Sequence, residues 1–256
     1  MKINKIRFIT GATAGFGEAL AKRFAEAGDD LILIGRREDR LSALAKKLTT
    51  EHSVRILPIT LDVQNLEQVK QKLSSLPTDW ADIDTLVNNA GLALGFESID
   101  QGNPHEWDTM IQTNVNGLLY VSHAIIPYLK KTRGHIINIG STAAKDAYPK
   151  GNVYCATKAA VDMITKTMRV DLLPHGIRVT AIHPGAAETE FSLVRFEGDV
   201  EKAKTPYAGY QALSADDVAS VIHYCATLPP HFCINDLVMT SSQQANSNFY
   251  FRNTQA

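Results

Sequence analysis

The stretch "ITGATAGFGEAL" (residues 9–20) runs from a short apolar segment straight into an Ala/Leu-rich one, with three glycines at the join. Gly11, Gly15 and Gly17 are spaced G-x-x-x-G-x-G. The preceding "IRFIT" (6–10) reads as a strand, and "GEALAKRFAEAG" (17–28) has helical spacing, with Gly28 as its stop. A glycine-rich turn between strand and helix lets bare backbone approach a pyrophosphate, which then rests on the helix N-terminus. Turns use glycine for their own sake, so the cluster is a weak signal alone. Its place at the first strand–helix junction is what points to a dinucleotide.

The same alternation continues along the chain. "LILIG" (31–35), "VRILPIT" (54–60), "DTLVNN" (84–89), "HIINIG" (135–140) and "RVTAIH" (178–183) are nearly unbroken apolar runs. Such runs fit strands covered on both faces, as in a parallel sheet. Amphipathic stretches such as "EDRLSALAKKLTTE" (38–51) lie between them. Repeated strand–helix units imply right-handed crossovers and an α/β, doubly wound Rossmann-type fold. No linker, low-complexity tract or internal repeat divides residues 1–256, so one domain is expected. The segment at about 188–212 breaks the rhythm, with charges, Pro206 and Gly209. It follows a strand end, where ligands bind in such sheets, so it reads as a substrate cover against the alternative of a plain surface insertion.

Composition narrows the class. With 256 residues, 45% of them apolar, the chain can bury a full core, and a net charge of −1 gives no reason to expect a nucleic-acid partner. Three cysteines (Cys155, Cys225, Cys233) form no CxxC pair, which suits a reducing compartment. "MKINKIRFITG" lacks the features of a signal peptide, and no apolar run approaches the roughly 18 residues of a membrane span. A cytoplasmic protein without a membrane partner is expected. The histidines show no metal-ligand spacing, so no metal is expected, and His183 before Pro184 reads as structural.

The end of the second strand bears on which nucleotide binds. NAD sites place an acid there for the ribose 2′-hydroxyl. Here the strand ends "GRRED", with Arg36 and Arg37, which would attract a 2′-phosphate. The alternative is a solvated charge cluster formed with Glu38 and Asp39. Position favours NADP(H).

Seven motifs then fall in order: "TGATAGFG" (10–17), "LDV" (61–63), "NNAG" (88–91), "TNVNG" (113–117), "IGS" (139–141), "YCATK" (154–158) and "HPG" (183–185). The chain resembles the short-chain dehydrogenase/reductase family over nearly its whole length. The resemblance implies a central parallel sheet of about seven strands flanked by helices. It implies cofactor contacts from Gly11, Thr13, Gly15, Phe16, Gly17, Asp62, Val63, Asn88, Ala90, Gly91, Pro184, Gly185 and Thr189, beside Arg36 and Arg37. It also implies a catalytic tetrad of Asn114, Ser141, Tyr154 and Lys158, with Tyr154 and Lys158 touching cofactor as well. Ala14 stands where many NADP-using members carry a basic residue, so cofactor choice rests on Arg36 and Arg37.

Physical chemistry supports those roles. Tyr154 and Lys158, four apart, share one helix face. A free phenol titrates near ~10, too high for a base at neutral pH, and a nearby ammonium favours the phenolate. Tyr154 would then exchange a proton with the reacting oxygen. Ser141 would donate a hydrogen bond to the same oxygen, and Asn114 would anchor a water joining Lys158 to solvent. Alone, the Tyr/Lys pair also reads as a partly exposed helix pair. Cys155 should face elsewhere and pack in the core.

Three longer stretches, "NNAGLALG" (88–95), "DAYPKGNVYCATK" (146–158) and "ETEFSLVRFEGD" (188–199), are similar to the NADP-dependent 3-hydroxy acid dehydrogenases. That group oxidises serine, L-allo-threonine and related short β-hydroxy acids, and the resemblance implies a homotetramer. A small anionic hydroxy acid or aldehyde needs a cation, and Arg195 is the candidate, with Tyr148 as a further hydrogen bonder. The alternative for Arg195 is a surface salt bridge to Glu190 or Glu197. Sulfoacetaldehyde reductases share a similar "ETEF…VR" stretch, so a sulfonate substrate is the alternative activity. A non-catalytic NADPH sensor or scaffold is the alternative of another class, disfavoured by the complete tetrad. The tail "SSQQANSNFYFRNTQA" (241–256) reads as a frayed terminus, or else as packing on a neighbouring subunit near the active-site mouth.

Overall fold

The computed structural model describes residues 4–253. Its centre is a seven-stranded parallel sheet built from β1 (Ile6–Thr10), β2 (Asp30–Gly35), β3 (Ile56–Thr60), β4 (Ile83–Asn88), β5 (His135–Ile139), β6 (Arg178–Pro184) and β9 (Asp236–Met239). The strand order is β3-β2-β1-β4-β5-β6-β9. Six strands are the six apolar runs, shifted by a residue or two. The seventh, "DLVM", pairs Leu237 with Ile182 at the sheet edge and is only half covered, so its sequence lacks an unbroken apolar run.

Strand periodicity divides the core in two. In β1 and β2, Ile9, Leu31 and Leu33 face one side, and Phe8, Ile32 and Ile34 the other, all fully buried. Helices α1 (Gly15–Glu26), α2 (Glu38–His52) and α9 (Ala215–Thr227) cover the first face with Leu20, Phe24, Leu48 and Ile222. Helices α3 (Leu66–Leu73), α5 (Leu118–Thr132) and α6 (Asn152–Leu172) cover the second with Val69, Val121, Ile125 and Leu172. Burying a side chain such as Phe24 or Leu48 contributes roughly 1.5–3 kcal/mol relative to leaving it in water.

The order reverses direction between β1 and β4, so the loops leaving their C-terminal ends diverge and open a crevice. The glycine turn follows β1 at that point. After β6 a two-residue strand, β7 (Ala187–Glu188), pairs with β8 (Leu213–Ser214), joining both ends of the 188–212 segment. Between them lie the short helices α7 (Glu190–Arg195) and α8 (Val200–Lys204). Helix α4 (Pro104–Ile111), capped by Asn103, runs into a π-helical turn over Gln112–Gly117 and then into α5.

The tail is not frayed over its described part. Gln244 pairs with Tyr250 in an antiparallel bridge, and Asn253 N donates to Gly209 O at 2.7 Å. It folds back on its own chain, over the 188–212 segment. Residues 254–256 of the expected tail and residues 1–3 of the expected domain lie outside the described residues.

Candidate active site

A cavity of about 1060 Å³ opens at the C-terminal edge of the sheet. Gly11, Thr13, Gly15 and Phe16 line it from the β1–α1 turn, Arg36 and Arg37 from the end of β2, and Val63 from the end of β3. Ala90 and Gly91 follow β4, Ser141 follows β5, and Pro184, Gly185 and Thr189 follow β6. Gly11 and Gly15 have φ of +66° and +53°, the left-handed region that favours glycine.

Four of the expected residues stand behind the wall rather than in it. A Cβ at Gly17 would lie 2.3 Å from Gly11 O, so its bareness serves close packing of α1 on the turn. Asp62 is held by its own loop, accepting from Gln64 N at 3.1 Å, and stands 4.0 Å from Arg36. Asn88 turns into the core, where its Nδ2 donates to Ser122 and Asn138, both at 2.8 Å. Its neighbour Asn89 lines the cavity instead and braces the glycine turn, donating to Thr10 O at 2.9 Å and Gly11 O at 3.2 Å. Sequence reasoning missed Asn89, because two adjacent asparagines at a strand end face opposite ways and nothing local says which faces in.

The fourth is Asn114, in the middle of the π-helical turn. Its Oδ1 accepts from Leu92 N, and its Nδ2 donates to Leu92 O, both at 2.8 Å, and to Thr157 Oγ1 at 3.0 Å. The side-chain amide is therefore committed to protein partners. It fixes the loop after β4 beside Lys158: a Cβ at Gly91 would come 3.2 Å from Asn114 Oδ1 and 3.5 Å from Lys158 Nζ. Wide helical turns of this kind concentrate at functional sites.

Tyr154 and Lys158 lie on the inward face of α6, both buried. Lys158 Nζ donates to Ile139 O at 2.8 Å and lies 5.9 Å from the Tyr154 ring centre. Burial lowers its ammonium to about 8. Burial also pushes the Tyr154 phenol well above its ordinary value, with Tyr148 adding to the rise and the Ser141 hydroxyl and Arg195 opposing it. Desolvation thus sets the direction, opposite to the fall expected from a nearby lysine. Ser141 presents its hydroxyl from extended backbone (φ −172°), with Oγ accepting from Ala143 N at 3.1 Å.

At the charged end of the cavity, Arg37 donates to Thr13 Oγ1 at 3.0 Å and pairs with Glu190 at 2.9 Å. Arg40 pairs with Glu190 as well, at 2.8 Å. The carboxylate beside these arginines is therefore Glu190 of α7, not Glu38 or Asp39. The Arg37 hydrogen bond pulls Glu190 below the usual carboxylate range.

The opposite end is built by the 188–212 segment and the tail. Thr189 caps α7, its Oγ1 accepting from Phe191 N at 3.2 Å, and the Phe191 ring meets the Tyr154 ring at 5.7 Å. Arg195 donates from Nε to Gly95 O at 3.1 Å and from Nη1 to Tyr148 OH at 3.0 Å. Its guanidinium stacks 4.7 Å from the Phe96 ring centre and 5.8 Å from that of Tyr154. It pairs with no carboxylate among the described residues, so the surface salt bridge to Glu190 or Glu197 does not form. Ser247, Asn248, Tyr250 and Arg252 of the tail also line the cavity. Asn248 donates to Ala147 O at 2.9 Å and Arg252 to Pro206 O at 3.0 Å, tying the tail to both walls.

A family profile described as short chain dehydrogenase matches residues 5–198. The chain belongs to the short-chain dehydrogenase family. Among its relatives, the NADP-dependent 3-hydroxy acid dehydrogenase of Salmonella typhi is 47% identical over 94% of this chain and 96% of that one. Sulfoacetaldehyde reductase 2 of Chromohalobacter salexigens is 45% identical over 96% and 98%. The closed form of serine dehydrogenase complexed with NADP+ superposes with a TM-score of 0.89 at 43% identity, covering 97% of this chain and 99% of that one.

In this short-chain dehydrogenase the cavity walls suit a dinucleotide. The positive-φ glycines leave a cradle at the N-terminus of the 12-residue α1, suited to a pyrophosphate. Arg36 and Arg37 stand at the end of β2 where an acid would contact a 2′-hydroxyl. The residues fit a dinucleotide carrying a 2′-phosphate.

A second cluster surrounds His183, the neighbour of the cavity-lining Pro184. Asp162, His183 and Asp236 bring one ligand-type atom each within 4.8 Å of one another. The Lys145 ammonium already holds both carboxylates, at 3.0 Å and 2.6 Å, so charge count makes this an ion network around His183. Cys155 packs with Leu92, Ala93 and Met110.

Proposed function

We propose that this short-chain dehydrogenase uses NADP(H) to interconvert a small 3-hydroxy acid and its carbonyl counterpart. The substrates would be of the serine, L-allo-threonine and 3-hydroxypropionate/malonate semialdehyde type. The observation that carries the reading is Arg195: a guanidinium without a carboxylate partner among the described residues, braced by Tyr148 and Gly95, in the same cavity as Tyr154. Of its five N–H donors, two are used by those partners; the others have no partner among the described residues and would take a substrate anion.

Arg37 and Arg36 would hold the 2′-phosphate, the glycine turn the pyrophosphate, and Lys158 with Tyr154 the nicotinamide end. The chemistry supplied by bound NADP(H) is hydride transfer. Tyr154, a neutral phenol because burial raises it, would donate its proton to the substrate oxygen during reduction and recover it during oxidation. Ser141 Oγ would donate to the same oxygen and stabilise its developing charge. Lys158 stays cationic at pH 7, since its value of about 8 lies above it. Asn114 fixes the Gly91–Leu92 backbone against which Lys158 packs.

A sulfonate substrate is the second reading, favoured by the sulfoacetaldehyde reductase relatives at 45% and 46% identity and by the match of a guanidinium to either anion. NADPH consumption with malonate semialdehyde and with sulfoacetaldehyde, at equal concentration, separates the two. Higher kcat/KM on the carboxylate supports the first, and a strong preference for the sulfonate replaces it with the second. We further propose a homotetramer in the cytoplasm; a monomer by light scattering would overturn the assembly. No helix among the described residues is long and apolar enough to cross a membrane.

A further inference from the structure

His183 is the penultimate residue of β6, directly before Pro184, and is fully buried. Its ring rests on the bare Cα of Gly140, where a Cβ would stand 2.3 Å from Nδ1. On one edge, Nδ1 is 3.3 Å from Ser141 N and 3.1 Å from Ser141 O. Ser141 O already accepts from Ala144 N at 2.9 Å. The Ser141 N–H has no other acceptor among the described residues.

The other edge faces acid. Nε2 lies 3.4 Å from Asp236 Oδ1 and 3.6 Å from Asp162 Oδ1, with no closer partner among the described residues. Lys145, on the turn that follows Ser141, bridges the outer oxygens of both carboxylates, and Lys166 takes Asp162 Oδ2 at 3.0 Å. Two carboxylates against two ammoniums leave the ring no charge to balance. A neutral imidazole carries one proton. The carboxylate oxygens draw it to Nε2, and the Ser141 N–H needs a bare Nδ1. The acid edge selects the Nε2–H tautomer, and the Ser141 N–H then has a bare Nδ1 to donate to; the other tautomer would place Nδ1–H on Ser141 O, 3.1 Å away.

We propose that His183 is a positioning residue for Ser141: its Nδ1 accepts the Ser141 N–H, and Asp162 and Asp236, facing Nε2–H, lock the tautomer that can do so. The proposal rests on the reading of Ser141 as donor to the reacting oxygen. The backbone leading into Ser141 is anchored at two consecutive peptides, by this bond and by the Gly140 N–H donated to Ile182 O at 2.7 Å. Small displacements of a hydrogen-bond donor aimed at developing charge cost rate steeply, so holding this peptide sets where Oγ points. Burial first, then the Lys145 charge, keeps His183 below its ordinary value.

The test is a double-mutant cycle between positions 183 and 141, read as kcat with NADPH Kd measured separately. His183→Leu removes the acceptor and should lower kcat by about 10-fold, with NADPH Kd unchanged. His183→Asn branches an oxygen from the same carbon and should stay within about threefold of the parent. In a Ser141→Ala background, His183→Leu should cost nothing more. A full additional loss there, or an Asn variant as impaired as Leu, overturns the proposal. A Ser141→Ala protein that turns over normally overturns the reading of Ser141 itself, a distinct result. Should the Leu variant not fold, nitrogen NMR of the unaltered protein decides. Nε2–H with bare Nδ1 at pH 7 is expected, and Nδ1–H or an imidazolium overturns it.

Discussion

Replacing Arg195 with alanine tests the anion site most directly. The side chain is half-buried and held by two hydrogen bonds and by the Phe96 face, so its head is placed before substrate arrives. A pre-placed fork loses little freedom on binding, which lets the charge-assisted bonds count nearly in full. Each such bond is worth about 1.5–3 kcal/mol, and a tenfold rate change corresponds to about 1.4 kcal/mol. Losing one to two of them predicts a fall in kcat/KM of about 100-fold on malonate semialdehyde. An uncharged aldehyde of similar size, such as propanal, should lose less than about threefold. Arg195→Lys should fall between, since an ammonium keeps the charge and loses the planar fork. The assay is initial-rate NADPH oxidation on both aldehydes, with NADPH Kd checked by fluorescence to confirm an intact cofactor site. Equal losses on charged and uncharged substrates would mean that Arg195 shapes the cavity by stacking on Phe96 and Tyr148. An unchanged kcat/KM on the anion would refute the clamp altogether.

Tyr154→Phe should cut turnover by about 10²–10⁴-fold while leaving NADPH Kd in place; retained turnover would assign the proton to another acid. Arg36→Ala with Arg37→Ala should raise the Michaelis constant for NADPH at least about 30-fold more than that for NADH, and an unchanged ratio would remove the 2′-phosphate assignment. His135 supplies a pH test of stability. It is fully buried, its Nε2 meets Thr180 Oγ1 at 2.7 Å, and burial depresses its value from 6.5 to about 3. Between those values the unfolded chain binds a proton that the folded one refuses, so stability is lost as pH falls below 6.5. The loss is about 2 kcal/mol by pH 5. Urea unfolding at pH 7 and pH 5 should show a smaller acid loss in His135→Gln, and identical losses in both proteins would contradict the burial argument.

The fold was largely legible because its inner strands are covered on both faces. Ile6–Thr10 and His135–Ile139 are buried at every position, and continuous burial writes itself as a continuous apolar run. Asp236–Met239 is exposed at alternate positions, so it offered four residues of mixed character and no run. The glycine turn was legible for a different reason. Positive φ at Gly11 and Gly15 and the close approach at Gly17 admit only one residue type, so geometry left a mark in the letters.

The site was legible where one residue serves one purpose on a regular element. Tyr154 and Lys158 share a face because helix periodicity requires it, whatever surrounds them. What surrounds them was not written locally. The level of the Tyr154 phenol is set by burial beneath Tyr148, Arg195 and Phe191, which arrive from the loop before α6 and from α7. The same holds for the tail. "SSQQANSNFYFRN" has the composition of a frayed end, yet Asn248 and Arg252 find carbonyls of Ala147 and Pro206, far away in sequence. Asparagine and arginine bond to backbone carbonyls of any residue, so such a dock imposes nothing on the sequence that receives it. Residue identity at a site is thus readable in proportion to how few residues could do the job. That is why the glycines and the Tyr/Lys pair announced themselves, whereas Asn89 and the two carboxylates around His183 required the fold.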